Sequence, residues 1–404
     1  MTIELGGIVV GAGLLGAVLY THLMLRRAVA RRREQPVPGR AQYPSVTVIR
    51  PVRGLDEGAA ENFAAALATG YPGEVETLFV FDEETDPALP VARAAIEAHR
   101  SGGHPGTARV IFVGTPPPGR TGKLNAMIRA LEEARGELVA FGDSDTRPDR
   151  EVLRVLADTL LSDERIGCTF APVVVENPLR TAGAVGYATL LNGLYGPAVA
   201  LTAGEQGSMP FIMGQLMLFR REALAGIGGL ESVSGQLVDD MYIGTRVVQA
   251  GYRNVVTRHP LQIVDERMTL AEFLRTYRRW IIFSRSGLPF WSFNWPAWLR
   301  GIEFWLGLGL GFAAVVTGHP WAGAVLYAAA LALGASIMRL HRAVGGAPIR
   351  LRHAWVPYAL LLAAPFIYVA TLLWPEVKWR GRRYGLDTHA RLGPRGPATG
   401  GAAG

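Results

Sequence analysis

Residues 138–149 read LVAFGDSDTRPD. Leu138–Phe141 is a short apolar run, and Gly142, Asp143, Ser144 and Asp145 follow it directly. Carboxylates at the end of a buried strand cost free energy unless a cation or a hydrogen-bond donor meets them. The Asp-x-Asp spacing puts two hard oxygen ligands near one point, a donor set that suits Mg2+ or Mn2+ holding a diphosphate. The same residues also fit a solvated turn, with Asp149 capping the helix after it.

The pattern repeats outward from this stretch. Val46–Val52, Thr77–Phe81 and Arg109–Val113 are further β-rich runs. Ala59–Ala68, Ala88–His99 and Lys123–Ala134 lie between the strands and have helical composition. The alternation predicts an α/β domain with a largely parallel sheet and helices on both faces. Ligands of such sheets bind at the carboxyl ends of the strands. Phe81 is followed by Asp82, Glu83, Glu84, Thr85 and Asp86, a second acidic cluster at a strand end.

Farther on, Asp239 and Asp240 open the helical stretch Met241–Ala250. They fit ordinary charges favoured by a helix N-terminus, and equally a general base. Arg275, Arg278 and Arg279 stand with Tyr277 and Trp280 in one short stretch. That stretch fits a membrane-surface helix with Trp280 at the headgroup level, and equally a catalytic element.

The chain has 404 residues, of which 49% are hydrophobic, and a formal net charge of +7. That apolar content directs attention to membrane segments. Leu5–Leu25 carries no formal charge and is long enough to span a hydrocarbon core of about 30 Å. Arg26, Arg27, Arg31, Arg32 and Arg33 follow, which by the positive-inside rule starts the next region in the cytoplasm. A signal peptide would carry its charges before the apolar run. Phe304–Met338 is a second uncharged block, broken at Thr317, Gly318, His319 and Pro320, and reads as two helices. Ala354–Pro375 is the last block, and Pro357 and Pro365 interrupt it. It fits either a simple crossing or a re-entrant hairpin returning Lys378, Arg380, Arg382 and Arg383 to the inner face.

The expected division is an anchor over 1–27, a catalytic domain over 45–262, interfacial helices over 263–297, membrane helices over 298–375, and a basic segment with a disordered tail over 376–404. The apolar, Gly-rich segment Thr181–Ala203 fits a lipid-facing rim or a core helix of the catalytic domain, with Met209–Gly214 continuing it. The single cysteine, Cys168, excludes an intrachain disulfide. The positive charge lies beside apolar runs, pointing to anionic lipid, and no basic stripe with interleaved aromatics suggests nucleic acid.

Taken in order, these residues resemble family-2 type glycosyltransferases, and especially the ceramide glucosyltransferase-like group with its bacterial hopanoid relatives. The resemblance rests on Arg50, Pro51, Val52, Arg53, Gly54, Leu55 and Asp56; on Tyr71 and Pro72; on Asp82; on Asp86, Pro87 and Ala88; on Lys123 and Asn125; on Asp143 and Asp145; on Asp240; and on Trp379, Arg380, Gly381, Arg382, Arg383 and Tyr384. The family's fourth motif matches at Arg279 and Trp280, while Thr276 stands where Gln or Arg is usual. Asp239 stands where the eukaryotic ceramide enzymes often carry Glu.

The resemblance implies a GT-A-like, Rossmann-type nucleotide-sugar domain with N-terminal and C-terminal transmembrane helices. It implies an inverting transfer from a UDP-sugar, glucose or N-acetylglucosamine, to a lipid hydroxyl such as that of ceramide or a hopanoid. Asp82, Lys123, Asn125 and Asp143 would bind the nucleotide-sugar, and Asp143 and Asp145 would hold Mg2+ or Mn2+. Asp240 would be the base, aided by Arg279 and Trp280, with Asp239 and Gly214 alongside. The implied location is a bacterial inner membrane with the catalytic domain in the cytoplasm. A processive polysaccharide synthase would share the fold but use more membrane helices. A non-catalytic sugar-nucleotide sensor would not need Asp143, Asp145 and Asp240 together.

Overall fold

The computed structural model describes residues 2–33, 39–287, 295–374, 376–385 and 391–392. The chain begins with helix α1 (Thr2–Arg33), then β1 (Val46–Val52), α2 (Ala59–Leu67), β2 (Val75–Phe81) and α3 (Leu89–Ser101). Next come β3 (Thr107–Phe112), α4 (Gly122–Leu131), β4 (Leu138–Gly142), β5 (Thr146–Arg147) and α5 (Val152–Leu160). Strands β6 (Ile166–Phe170) and β7 (Val173–Val174) lead to α6 (Ala182–Ala188), a π-helical turn (Thr189–Tyr195) and α7 (Gly196–Gln206). The middle closes with β8 (Leu216–Arg220), α8 (Arg221–Gly226), α9 (Asp239–Gln249), β9 (Arg253–Val256) and β10 (Leu261–Ile263). Helices α10 (Leu270–Gly287), α11 (Trp295–Val316), α12 (Pro320–Ala343) and α13 (Val356–Leu373) follow, then the hairpin β11 (Glu376–Trp379) and β12 (Arg382–Gly385).

The chain forms two compact units. One comprises residues 35–173, 205–264 and 375–404, and contains a seven-stranded sheet in the order β3-β2-β1-β4-β8-β6-β9. Strands β1 to β4 are parallel, as the sequence predicts. The sheet is not parallel throughout, because β8 runs antiparallel to both β4 and β6. Every residue of β4 and β6 is buried, as strands covered on both faces require. Phe63 of α2 packs edge-on against Phe79 of β2 at 5.2 Å, within a core that includes Val52, Phe81 and Leu89. Each such side chain contributes roughly 1.5–3 kcal/mol on burial.

The other unit comprises residues 1–34, 174–204 and 265–374. Among the described residues, four of its helices are long and apolar enough to cross a membrane: Thr2–Arg31, Trp298–Val316, Pro320–Ala343 and Leu351–Leu373. The segment Thr181–Ala203 belongs to this unit and is not a core helix of the sheet domain. Asn192, in its π-helical turn, is fully buried and bonds Nδ2 to the Val175 carbonyl at 2.8 Å and to His341 Nδ1 of α12 at 3.3 Å. Met209–Gly214, by contrast, lies with the sheet.

Helix α13 is continuous through Pro365, so the last apolar run is not broken into a hairpin there. Val264 and Glu376 belong to the sheet unit, and between them α11, α12 and α13 each contain a stretch long and apolar enough to cross a membrane. The expected disordered tail lies outside the described residues apart from Arg391 and Leu392.

Candidate active site

The order of the sheet builds the site. β2 lies on one side of β1 and β4 on the other, so the connections diverge between β1 and β4. Ligand crevices form at such switch points, beyond the carboxyl ends of the strands. Val52 pairs with Phe81, so the next residues, Arg53 and Asp82, leave adjacent strands side by side. They form an ion pair. Asp143 and Asp145 leave the end of β4 at the same edge.

Arg50 of β1 is fully buried beneath that edge. Its Nη2 donates to the Asp143 carbonyl at 2.6 Å, the Thr146 carbonyl at 3.1 Å and Thr146 Oγ1 at 3.2 Å. Burial lowers its pKa to about 10, against the opposing pull of Asp143 and Asp145. A guanidinium so placed pins the acidic turn from below without occupying its carboxylates.

Lys123 joins the turn to the far wall. Thr121 caps α4 by accepting a bond from Leu124 N at 3.1 Å, which starts the helix with Gly122 and aims Lys123 into the crevice. Lys123 Nζ lies 2.6 Å from Asp143 Oδ1 and donates to the Gly214 carbonyl at 3.0 Å. Gly214 N in turn donates to Asp240 Oδ2 at 2.8 Å. A Cβ on Gly214 would stand 2.7 Å from that oxygen, so only glycine lets the backbone come this close. Asn125, on the same helix, is buried.

Asp239 and Asp240 begin α9, where the helix dipole favours negative charge. Burial nevertheless pushes Asp239 up to about 6, opposed by Lys123 and helped by Asp240. Asp240 is raised as well, by burial first, with Lys123 opposing. Burial works to lower Lys123, but Asp143, Asp239 and Asp240 outweigh it and hold its proton firmly.

The C-terminal hairpin completes the wall. Arg380 and Gly381 turn between β11 and β12 with φ of 48° and 78°. Positive φ at both central residues matches the strand twist, but for a non-glycine residue it costs about 1–2 kcal/mol. Arg380 is held there by reciprocal bonds with Arg53 (Arg53 Nε to the Arg380 carbonyl at 3.0 Å, Arg380 Nη1 to the Arg53 carbonyl at 3.2 Å). Its guanidinium pairs with Asp56 and lies 3.7 Å from Asp145 Oδ2. Arg382 Nη2 lies 2.8 Å from Asp82 Oδ2. Ser144 Oγ donates to Asp56 Oδ2 at 2.8 Å, tying the acidic turn to the same cluster.

Two carboxylates, Asp143 and Asp145, fit a divalent cation that completes its shell with substrate phosphate. Asp145 Oδ1 is buried and has no hydrogen-bond partner. Burial, then the nearby Asp143, pushes Asp145 up to about 6, against the opposing pull of Arg380 and Lys123. Among the described residues no three His, Cys, Asp or Glu side chains converge into a self-sufficient metal cage.

The family model for glycosyl transferase family 21 matches residues 9–392. The chain belongs to glycosyl transferase family 21. This family-21 chain is a glycosyltransferase, with helices long and apolar enough to cross a membrane before and after the α/β sheet domain in the sequence. It is 22% identical to ceramide glucosyltransferase 3 of Caenorhabditis elegans over 396 residues, 96% of this chain and 82% of that one. It is 25% identical to ceramide glucosyltransferase 1 of the same organism over 258 residues, 61% of this chain and about half (51%) of that one. A mannosyltransferase of Pyrobaculum calidifontis, solved with GDP-mannose and Mn2+, covers 91% of this chain and 99% of its own at 20% identity and a TM-score of 0.49.

Within the family-21 chain, Asp82, Lys123, Asn125, Asp143, Asp145, Gly214, Asp239 and Asp240 all belong to the sheet unit. Arg279 and Trp280 belong to the helical unit, on α10, beside Thr276. There the Trp280 ring lies 5.6 Å from Tyr187 and 5.7 Å from Tyr195. The sequence alone assigns no catalytic or binding role to Arg53, Asp56, Arg380 or Arg382. Their signal was present in the Arg50–Asp56 and Trp379–Tyr384 motifs, but pairings across about three hundred residues have no local pattern.

Proposed function

We propose that this glycosyltransferase moves a hexose, glucose or N-acetylglucosamine, from a UDP-sugar to the hydroxyl of a membrane lipid such as ceramide or a hopanoid. The carrying observation is the Asp143–Lys123–Gly214–Asp240 chain of contacts, which links the diphosphate-type acidic turn to the half-buried Asp240 carboxylate in one unit. Asp143 and Asp145 would hold Mg2+ or Mn2+, and Asp82 and Asn125 would take part in nucleotide binding. The bound ion supplies Lewis-acid stabilisation of the departing diphosphate. Asp240 takes the proton of the lipid hydroxyl as that oxygen attacks the anomeric carbon. A single displacement inverts the anomeric centre.

Gly214 N–H orients Asp240, and Lys123 keeps the crevice from repelling an incoming diphosphate. Burial raises Asp240 above the usual carboxylate range, which makes it a better proton acceptor than an exposed aspartate. For Arg279 and Trp280 of α10 the roles are those that the resemblance implies, positive charge late in the transfer and an aromatic surface for acceptor or sugar. Residues 1–27 anchor the chain, and the arginines Arg26, Arg27 and Arg31 support a cytoplasmic catalytic domain over 45–262 at a bacterial inner membrane. Helix α10 at the interface and the membrane helices α11, α12 and α13 keep the acceptor's tail in the bilayer.

UDP release from UDP-sugars by the full-length chain tests this reading. Release is expected only when both a divalent cation and a lipid bearing a free hydroxyl are present. Release that ignores the lipid would overturn the assignment of the acceptor.

A further inference from the structure

The arginines of the C-terminal hairpin stand where a cation and an anion would otherwise meet. Arg53 and Arg382 both engage Asp82, and Arg380 bridges Asp56 and Asp145. Lys123 engages Asp143. Four carboxylates on this wall thus face four cationic groups, while the fifth, Arg50, is directed to carbonyl oxygens. The weakest of these contacts is the one to Asp145, at 3.7 Å, and the other oxygen of that carboxylate has no partner.

A divalent cation between Asp143 and Asp145 would therefore arrive beside a guanidinium of the same sign. Like charges this close are mutually destabilising. The guanidinium would leave Asp145 only for another anion. A diphosphate is such an anion, and arginine's planar fork matches phosphate oxygens. The backbone of the turn is tied to Arg53, whose Nε donates to the Arg380 carbonyl at 3.0 Å, so the guanidinium can exchange partners while its backbone stays in place.

We propose that Arg380, with Arg382 beside it, binds the donor's diphosphate by exchange: it occupies Asp56 and Asp145 in the empty site and transfers to the diphosphate when cation and nucleotide arrive together. This rests on the nucleotide-sugar reading above. The consequence is strong positive coupling. The cation alone binds poorly because Arg380 opposes it, and the nucleotide alone binds poorly because the carboxylates compete for Arg380.

The test is calorimetric titration of the purified full-length chain with Mn2+ alone, UDP alone, and UDP in saturating Mn2+. The wild type should bind UDP at least about tenfold more tightly with Mn2+ than without it. In Arg380→Ala the two affinities should move in opposite directions. Bare Mn2+ should bind several-fold more tightly, and UDP in Mn2+ about tenfold or more weakly. Arg383→Ala, an exposed change on the same hairpin, should move neither.

A merely structural hairpin would weaken both ligands together in Arg380→Ala, and that result overturns the exchange. An unfolded variant, seen as a lost thermal transition, would be replaced by Arg380→Lys, which should weaken UDP while keeping the opposition to bare Mn2+. Failure of the wild type to bind UDP under any condition would instead overturn the nucleotide-sugar reading itself.

Discussion

Asp240→Asn is expected to lower turnover by about 10²- to 10⁴-fold, the usual weight of general base catalysis. The substitution keeps an oxygen that can accept the Gly214 N–H bond, 2.8 Å in the native chain. The geometry of the β8 approach should survive, and UDP binding in Mn2+ should change little. The loss should fall on kcat, because the proton leaves the acceptor only as the new bond forms. Initial rates and UDP titrations on the same preparation separate the two quantities. Unchanged turnover would remove Asp240 from the chemistry.

Lys123→Met is expected to destabilise the chain by about 3–5 kcal/mol, the cost of removing one partner from a buried ion pair. Lys123 is mostly buried and stands among Asp143, Asp239 and Asp240. Without it, those carboxylates face one another across a crevice that already disfavours their charge. The pH dependence gives the sign. Asp239 and Asp145 are held up to about 6 in the native chain. A carboxylate whose folded pKa is raised stabilises the fold below its unfolded value near 4 and loses that contribution as pH rises through its folded value.

Removing Lys123 raises Asp239 and Asp240 further and extends the loss to higher pH. The deficit of Lys123→Met should therefore be small near about pH 5 and largest near about pH 8. Thermal midpoints of wild type and variant at both pH values measure it. An equal deficit at both would mean that Lys123 acts through packing rather than charge.

Much of this site is legible in the sequence because it uses strand ends. Parallel strands place the residues after Val52, Phe81 and Gly142 on one edge, so Asp82, Asp143 and Asp145 can be found by following apolar runs to their termini. The antiparallel β8 is not legible, since Leu216–Arg220 has the composition of any buried strand and its direction is set by its partners. Gly214 could be singled out as a residue, but its role depends on a 2.8 Å approach to Asp240.

The segment Thr181–Ala203 illustrates a second limit. An apolar, glycine-rich stretch suits a core helix and a membrane-side helix equally, and only its tertiary partners, such as His341 for Asn192, separate the two. The hairpin illustrates a third. Lys378, Arg380, Arg382 and Arg383 read as one basic cluster for lipid headgroups. In the folded chain strand alternation divides them, so that Arg382 is buried against Asp82 while Lys378 and Arg383 are exposed.

The product of a single reaction bears most directly on the whole account. The full-length chain, given a UDP-α-sugar, Mn2+ and a hydroxyl-bearing membrane lipid, should yield that lipid carrying one sugar. Mass spectrometry would give the sugar count and proton NMR the anomeric configuration, expected to be β. A polymer, or an α-linked product, would contradict a one-step transfer based on Asp240.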